Sequence, residues 1–328
     1  MNKKENMIAA LSGCSIPEKV PIWELEFHLW NHFSDKRFVV GKEFVKLSEN
    51  EQQRAIIQNA EIMCEVGDML DFAAVTIPPA YWESAPGCPA YFWLPEESRK
   101  QLLKQLRQIA GNQFFYIVHS DAIIGMPSAE DYMEFAYRLF DEPESIDGQV
   151  REKCEKVKPD VLRWRDLGAD GFLSTADQAD NNSPYFNPGQ LDRFVFPYLK
   201  EWADTVRSCG GYSIMHTDGN IMPLLSGVAD CGVNAMQALD PTAGIDLKTV
   251  KELVGDRLCL CGNLDCGIVL TAGADEVYRK AVETLTAGMP GGRYVFGASN
   301  VIEAAAAKEN FEAMHQAWKD YGTYRKDN

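Results

Sequence analysis

The chain has 328 residues, 46% hydrophobic and 24% charged, the proportions of an ordinary soluble globular protein long enough to bury a sizeable core. Its formal net charge of −16 argues against non-specific binding to nucleic acid or to an anionic membrane, since both need clustered lysine and arginine. No apolar run approaches the ~20 residues of a membrane-crossing helix. Nine cysteines, an odd number, behind a start without signal-like character fit a reducing, cytoplasmic compartment in which thiols stay free.

Taken in order, the sequence alternates helix-like and strand-like segments. Met7–Leu11 reads as a short helix ahead of a first strand, Pro21–Trp30, in which Glu24, Glu26 and His28 alternate with Trp23, Leu25 and Phe27. A helical period over Ser48–Val66 leads into a second strand, Gly67–Val75, which Pro78 and Pro79 cannot prolong because proline donates no ladder bond. Tyr81–Leu94 places aromatics among Pro86, Gly87, Cys88 and Pro89, as expected of a long loop or lid at the active end. Helix Glu96–Ala110 follows, then a third strand, Phe114–Asp121, closing on His119 and Asp121.

Helices are expected over Ser128–Leu139 and Pro143–Leu167, and a fourth strand over Gly168–Asp177, running into Gln178 and a polar loop that holds Tyr185. After helix Gly189–Ser208 comes a fifth strand, Tyr212–Met215, which stops on His216-Thr217-Asp218-Gly219. Side chains two apart on a strand share a side, so His216 and Asp218 should project together. Val233–Leu239, with Gln237, is the sixth strand, and Asp246–Val254 is a helix with an aspartate to cap it and Gly255 to end it. Arg257–Cys261 is the seventh strand, leading into Asn263. Helix Ala274–Ala287, an eighth strand Arg293–Asn300 and helix Glu303–Tyr321 complete the chain. Eight strands alternating with helices predict an α/β fold, a single (β/α)8 TIM barrel with an N-terminal helical extension, one domain over residues 1–328.

Chemistry in such a barrel belongs at the carboxyl ends of the strands. Collected there are Glu26, Asp71, His119 with Asp121, Asp177 with Gln178, His216 with Asp218, Gln237 with Asp240, Cys261 with Asn263, and Ser299. The set contains no lysine or arginine, so the pocket should suit a cation better than a phosphate or polycarboxylate. Zinc takes imidazole, thiolate and carboxylate ligands, which makes His216, Asp218 and Cys261 the expected metal set and Glu26 a further candidate. Cys259 and Cys261 read equally well as small apolar residues in a barrel layer. Asp177 joins His216 and Asp218 as a catalytic candidate. Glu26, His119, Asp121, Gln178, Tyr185, Gln237 and Asn263 are candidates for contacting a substrate.

Several motifs occur in a telling order: Lys19-Val-Pro-Ile-Trp23, Gly168-Ala-Asp-Gly171, Asn187-Pro188, His216-Thr-Asp-Gly-Asn220, Asp246-Leu-Lys-Thr-Val-Lys251, Gly255-Asp-Arg257 and Gly262-Asn-Leu-Asp265. On these the chain resembles the uroporphyrinogen decarboxylase family, which also includes zinc-dependent, corrinoid-linked methyltransferases. The decarboxylases carry substrate-gripping arginines on the first strand, where this chain has Glu26 and Trp30. The resemblance therefore implies the methyltransferase branch. That branch binds zinc through a His-x-Cys pair and a later cysteine. Here His216 matches, while Asp218 and Ala298 stand at the cysteine positions, so the resemblance implies either a metal site rebuilt from His216, Asp218 and a displaced ligand such as Cys261 or Glu26, or no metal site.

The implied activity is methyl transfer, zinc-assisted, between a small methylated substrate (methoxy-aromatic, methylamine or thiol) and a corrinoid carried by a partner protein. Neither nucleic acid nor membrane is an expected partner, and the resemblance leaves room for a homodimer. The alternatives are a metal-independent decarboxylase or lyase on the same barrel, and a non-catalytic accessory binder.

Overall fold

The computed structural model describes residues 1–85, 87–128 and 130–324. Its strands are β1 (Ala74–Thr76), β2 (Glu83–Ala85), β3 (Cys88–Pro89), β4 (Phe115–His119), β5 (Gly171–Ser174), β6 (Tyr212–Thr217), β7 (Ala235–Ala238), β8 (Cys259–Cys261) and β9 (Tyr294–Val295); all but β2 and β3 are short runs too buried to tolerate an unpaired backbone. Seven of them make one curled parallel sheet in the order β1-β4-β5-β6-β7-β8-β9, each joined to the next by a crossover that carries helix. β2 and β3 form a separate antiparallel hairpin within the segment expected to be a lid. Among the described residues no helix is long and apolar enough to cross a membrane.

The expected first strand is not a strand of the sheet. Ile22 alone makes parallel bridges, to Phe72 ahead of β1 and to Phe296 after β9, so both edges of the sheet meet on this residue. Ala73 N donates to Ile22 O at 2.8 Å and Trp23 N to Phe296 O at 3.0 Å. Beyond it the chain bends at Leu25–Glu26 and pairs again through Phe27 and Ile302. That bend breaks the alternation read from the sequence: Trp23 and Leu25 join the cluster inside the sheet's curve, whereas Phe27, Leu29 and Trp30 pack outside it.

Ile117, Leu173, Ile214, Ala235, Cys259 and Val295 fill the inner cluster together with Met7, Ala10 and Leu11 of helix Lys3–Ser12. That helix is tied to the sheet through Asp170, at the amino end of β5, whose carboxylate accepts from Lys4 Nζ at 2.7 Å and Arg107 Nη2 at 2.9 Å. Strand period does the rest. His119 lies two residues beyond Ile117, His216 beyond Ile214 and Gln237 beyond Ala235, so an apolar floor is succeeded by polar groups on the same side.

Several boundaries differ from expectation for local reasons. The helix expected to end at Val66 runs over Glu49–Met69, passing through Gly67, and the second strand is left only Ala74–Thr76. At Gly67 the helix lies close against the Phe114 ring, which an added Cβ would approach to 3.2 Å. The helix read as Gly189–Ser208 contains a π turn over Leu191–Val195, directly before Pro197, which has no N–H to continue the regular ladder. Helix Tyr132–Asp141 begins after the expected Ser128, with Ala129 outside the described residues; Pro86 of the expected lid is outside them too. The last helix starts at Lys308, not Glu303.

Glu24 ends up buried, 4% exposed, with Oε2 accepting from Ala298 N at 3.0 Å and Oε1 without a partner. Burial raises its carboxyl from the ordinary 4.5 to about 8. The folded state therefore keeps a proton that the unfolded chain releases, and stability falls as pH climbs through that window. A Glu24→Gln variant, neutral and able to accept the same bond, should melt like the wild type at about pH 5 and several degrees above it at about pH 8. Parallel melting curves at both values would show that Glu24 carries no proton in the fold.

Candidate active site

A cavity of about 550 Å³ opens at the carboxyl ends of the strands. Six of the sequence-predicted residues line it: Glu26, His119, Asp121, Asp177, His216 and Asp218. The last strand turn of β6 organises the group. His216 Nδ1 meets Gln237 Oε1 across the β6–β7 ladder, where the two residues are register partners. Gln237 Nε2 is aimed at Ser299 O, 3.3 Å away, which leaves its oxygen for the imidazole. Nδ1 must then carry the ring hydrogen, and Nε2 presents a lone pair.

That lone pair faces carboxylates. Nε2 lies 3.8 Å from Asp177 Oδ1 and 3.8 Å from Asp218 Oδ1, and ligand atoms of the three residues all lie within 4.8 Å of one another. Both acids are held in place: Asp177 Oδ1 accepts from Asp218 N at 3.1 Å, and Asp218 Oδ2 accepts from Asn300 Nδ2 at 2.7 Å. Burial is the main cause that lifts the Asp218 carboxyl above its ordinary range, with Asp177 and Asp240 adding to it. A lone pair and two carboxylates converging in this way repel one another unless a proton or a cation sits between them.

Cys261, expected as the third ligand, is not in this group. It is fully buried beside Cys259 in the inner apolar cluster, and burial pushes its thiol well up, away from the thiolate a metal needs. Asp177 stands with His216 and Asp218 where the cysteine was expected. Gln178 is spent on structure, its Nε2 donating to Ile124 O at 2.8 Å and Ala176 O at 2.7 Å. Asn263 Nδ2 likewise donates to Leu239 O at 2.7 Å, and Tyr185 packs against the outer core. None of these three lines the cavity, and Gln237 acts behind His216.

Glu26 and Asp121 line the cavity with partners of their own. Glu26 Oε2 is 3.1 Å from His28 Nε2, and Asp121 Oδ1 accepts from Thr175 N at 2.5 Å. Burial opposes the charge on His28, but Glu26 and Glu303 outweigh it and raise its pKa. His119, half-buried at the end of β4, goes the other way: burial first, then Arg99 and His216, bring it down to about 3, so its ring is neutral.

Arg99 also overturns an expectation, that of a cavity free of lysine and arginine. It lines the cavity from the first turn of helix Glu96–Ala110, held by a 2.9 Å bond from Nε to Pro78 O just past β1. A survey confined to strand ends cannot see it. Trp164 reaches the cavity from helix Pro143–Asp166, and Tyr81 and Trp82 from the chain leading into β2. The aromatic content of the expected lid was the one signal for the latter pair.

A curled parallel sheet with titratable groups gathered at its carboxyl ends belongs to the α/β barrel enzymes as a class. Within that class, residues 163–321 match the family model described as uroporphyrinogen decarboxylase. A methyltransferase from Methanosarcina mazei is similar in structure, with a TM-score of 0.75 over 98% of this chain and 99% of that one. At 17% identity that likeness speaks to the fold. A xylose isomerase-like TIM barrel protein from Mycobacterium smegmatis, in complex with magnesium, aligns at a TM-score of 0.44 and 12% identity over 92% of this chain and 97% of that one, too weakly to carry an argument. A search of curated proteins finds no match to the sequence.

If Gln237 fixes the His216 tautomer, replacing it with a group of similar size and no acceptor should free the ring. If the Asp177, His216 and Asp218 group holds a divalent metal, Gln237→Leu is expected to weaken its binding about 10- to 100-fold, as loss of an orienting partner does elsewhere. A competition titration against a chromogenic chelator reads this directly, and unchanged affinity would mean that the ring is oriented by something else.

Proposed function

We propose that the protein is a methyltransferase that moves a methyl group between a small methylated substrate and a corrinoid presented by a partner protein, on a (β/α)8 barrel completed at Ile22. The observation that carries this reading is the convergence of Asp177, His216 and Asp218 within 4.8 Å in a cavity at the carboxyl ends of the strands. One imidazole and two carboxylates lie within the ligand range of zinc, and three protein ligands leave the open position that a catalytic zinc keeps. When bound there, zinc would act as a Lewis acid on the substrate's ether oxygen or thiol.

The chain's own part is positioning. Gln237 holds the His216 lone pair toward the cavity, and Asn300 and the Asp218 amide fix the two carboxylates. Glu26, steadied by His28, and neutral His119 bound the space a substrate would fill. Tyr81 and Trp82, ahead of the β2–β3 hairpin, flank the same space and would limit water around the reacting atoms.

Elemental analysis of purified protein should find about one metal ion per chain, lost in His216→Ala and Asp218→Ala. The same variants should fail to alkylate cob(I)alamin from a methoxy-aromatic donor, a reaction followed by the change in the corrinoid spectrum. Metal retained in full by His216→Ala would sink the metal centre. A second reading, a metal-independent decarboxylase or lyase, is favoured by Arg99, a cation suited to an acid substrate. Full activity of chelator-treated, metal-free protein on such an acid would decide for it.

A further inference from the structure

We propose that Arg99 is the anchor for a single carboxylate on the substrate, so that the cavity selects small monocarboxylic acids with a flat apolar body. Arg99 is 4% exposed, and its guanidinium is only partly used. Nε donates to Pro78 O at 2.9 Å and Nη1 to Glu96 Oε2 at 2.6 Å, while Nη2 is buried with no partner. An enclosed guanidinium with an idle donor is costly unless something completes it, and a carboxylate oxygen is its natural acceptor.

Nothing already in the cavity does so. The Glu96 side chain is 52% exposed, so solvent screens its charge, and Asp121 is engaged by Thr175. A second idle group lies within electrostatic reach: His119 Nε2, also buried and without a partner, on a ring that Arg99 helps to keep neutral. A neutral imidazole in the Nε2–H tautomer would offer a second donor to the same anion.

Charge limits the anion to one unit. Arg99 is the only arginine or lysine among the described residues lining the cavity, against carboxylates at Glu26, Glu96, Asp121, Asp160, Asp177 and Asp218. A phosphate or a dicarboxylate would meet more repulsion than one guanidinium can offset. The apolar walls set the body. Trp164, whose ring lies 5.0 Å from the Arg99 guanidinium carbon, together with Leu25 and Val157, gives the cavity flat, apolar surface.

This deepens the methyl-transfer reading by naming its substrate class, and it rests on that reading only for which group is transferred. The test is a calorimetric titration of the full-length protein with 3-methoxybenzoate, 3-methoxybenzamide and 3-methoxybenzenesulfonate. The carboxylate should bind at least about tenfold tighter than the amide. In Arg99→Met that ratio should fall to about unity, with part of it kept in Arg99→Lys. A wild-type ratio near unity, or a ratio that survives Arg99→Met, overturns the anchor. A sulfonate bound about tenfold tighter than the carboxylate overturns the choice of acid. Should Arg99→Met fail to fold, the wild-type ratio and its fall with added salt still decide.

A parallel cob(I)alamin assay separates the two readings. Discrimination between acid and amide without methyl transfer sinks the methyltransferase and leaves the anchor standing. Equal turnover of acid and amide sinks the anchor alone.

Discussion

The contact between Gln237 and the ring of His216 sets the chemistry of the cavity. The amide nitrogen of Gln237 is turned to the backbone after β9, so its oxygen is committed to Nδ1 and the other ring nitrogen is left as a lone pair. Without that commitment the ring could turn a hydrogen toward Asp177 and Asp218 and settle the cluster as an ordinary buried hydrogen-bond network. With it, three electron-rich groups face one another within 4.8 Å. The same side chain spans β6, β7 and the segment following β9, so the orientation of one ring depends on the register of the whole sheet on that side.

The floor beneath this group raises its cost and its usefulness together. Ile117, Ile214, Ala235 and Cys259 close the interior below the cavity, and Met7, Ala10 and Leu11 of the first helix join them from the far end. Charges just above such a floor have water on one side only, which is why burial heads the causes that lift the Asp218 carboxyl. Low local dielectric also strengthens any attraction to a bound cation. A fold that gave the same residues full hydration would hold a weaker site.

Much of this was legible in the sequence, for a definite reason. Strand period puts His216 and Asp218 on one side, and His119 with Asp121, whatever the details of packing, so the polar rim could be read from alternation. The partner of His216 was harder. Cys261 has the right period and chemistry, but strand β8 ends there, so its thiol stays in the apolar layer while Asp177, beyond the end of β5, rises into the cavity. The first strand misled for a related reason: its alternation is perfect on paper, yet pairing is confined to Ile22 before a bend, which separates Glu24 from Glu26. Arg99 was invisible because a helix residue enters the site by tertiary placement, through a bond to Pro78 that no local pattern announces.

The two sources of side chains divide the work. His216 is fixed by ladder register, and Asp177 and Asp218, which follow the ends of β5 and β6, are joined by the bond from Asp218 N to Asp177 Oδ1. Arg99, Trp164, Tyr81 and Trp82 come from helices and from the chain entering the β2–β3 hairpin, where a substitution changes the cavity wall and leaves the ladder alone. Barrels vary specificity through the elements outside the strands for this reason. In this chain the division has an electrostatic side: among the described residues lining the cavity, the strand ends contribute carboxylates and imidazoles, and the one arginine arrives from a helix. Selectivity for what enters can therefore change by substitution at position 99 while the group that would hold a cation stays as it is.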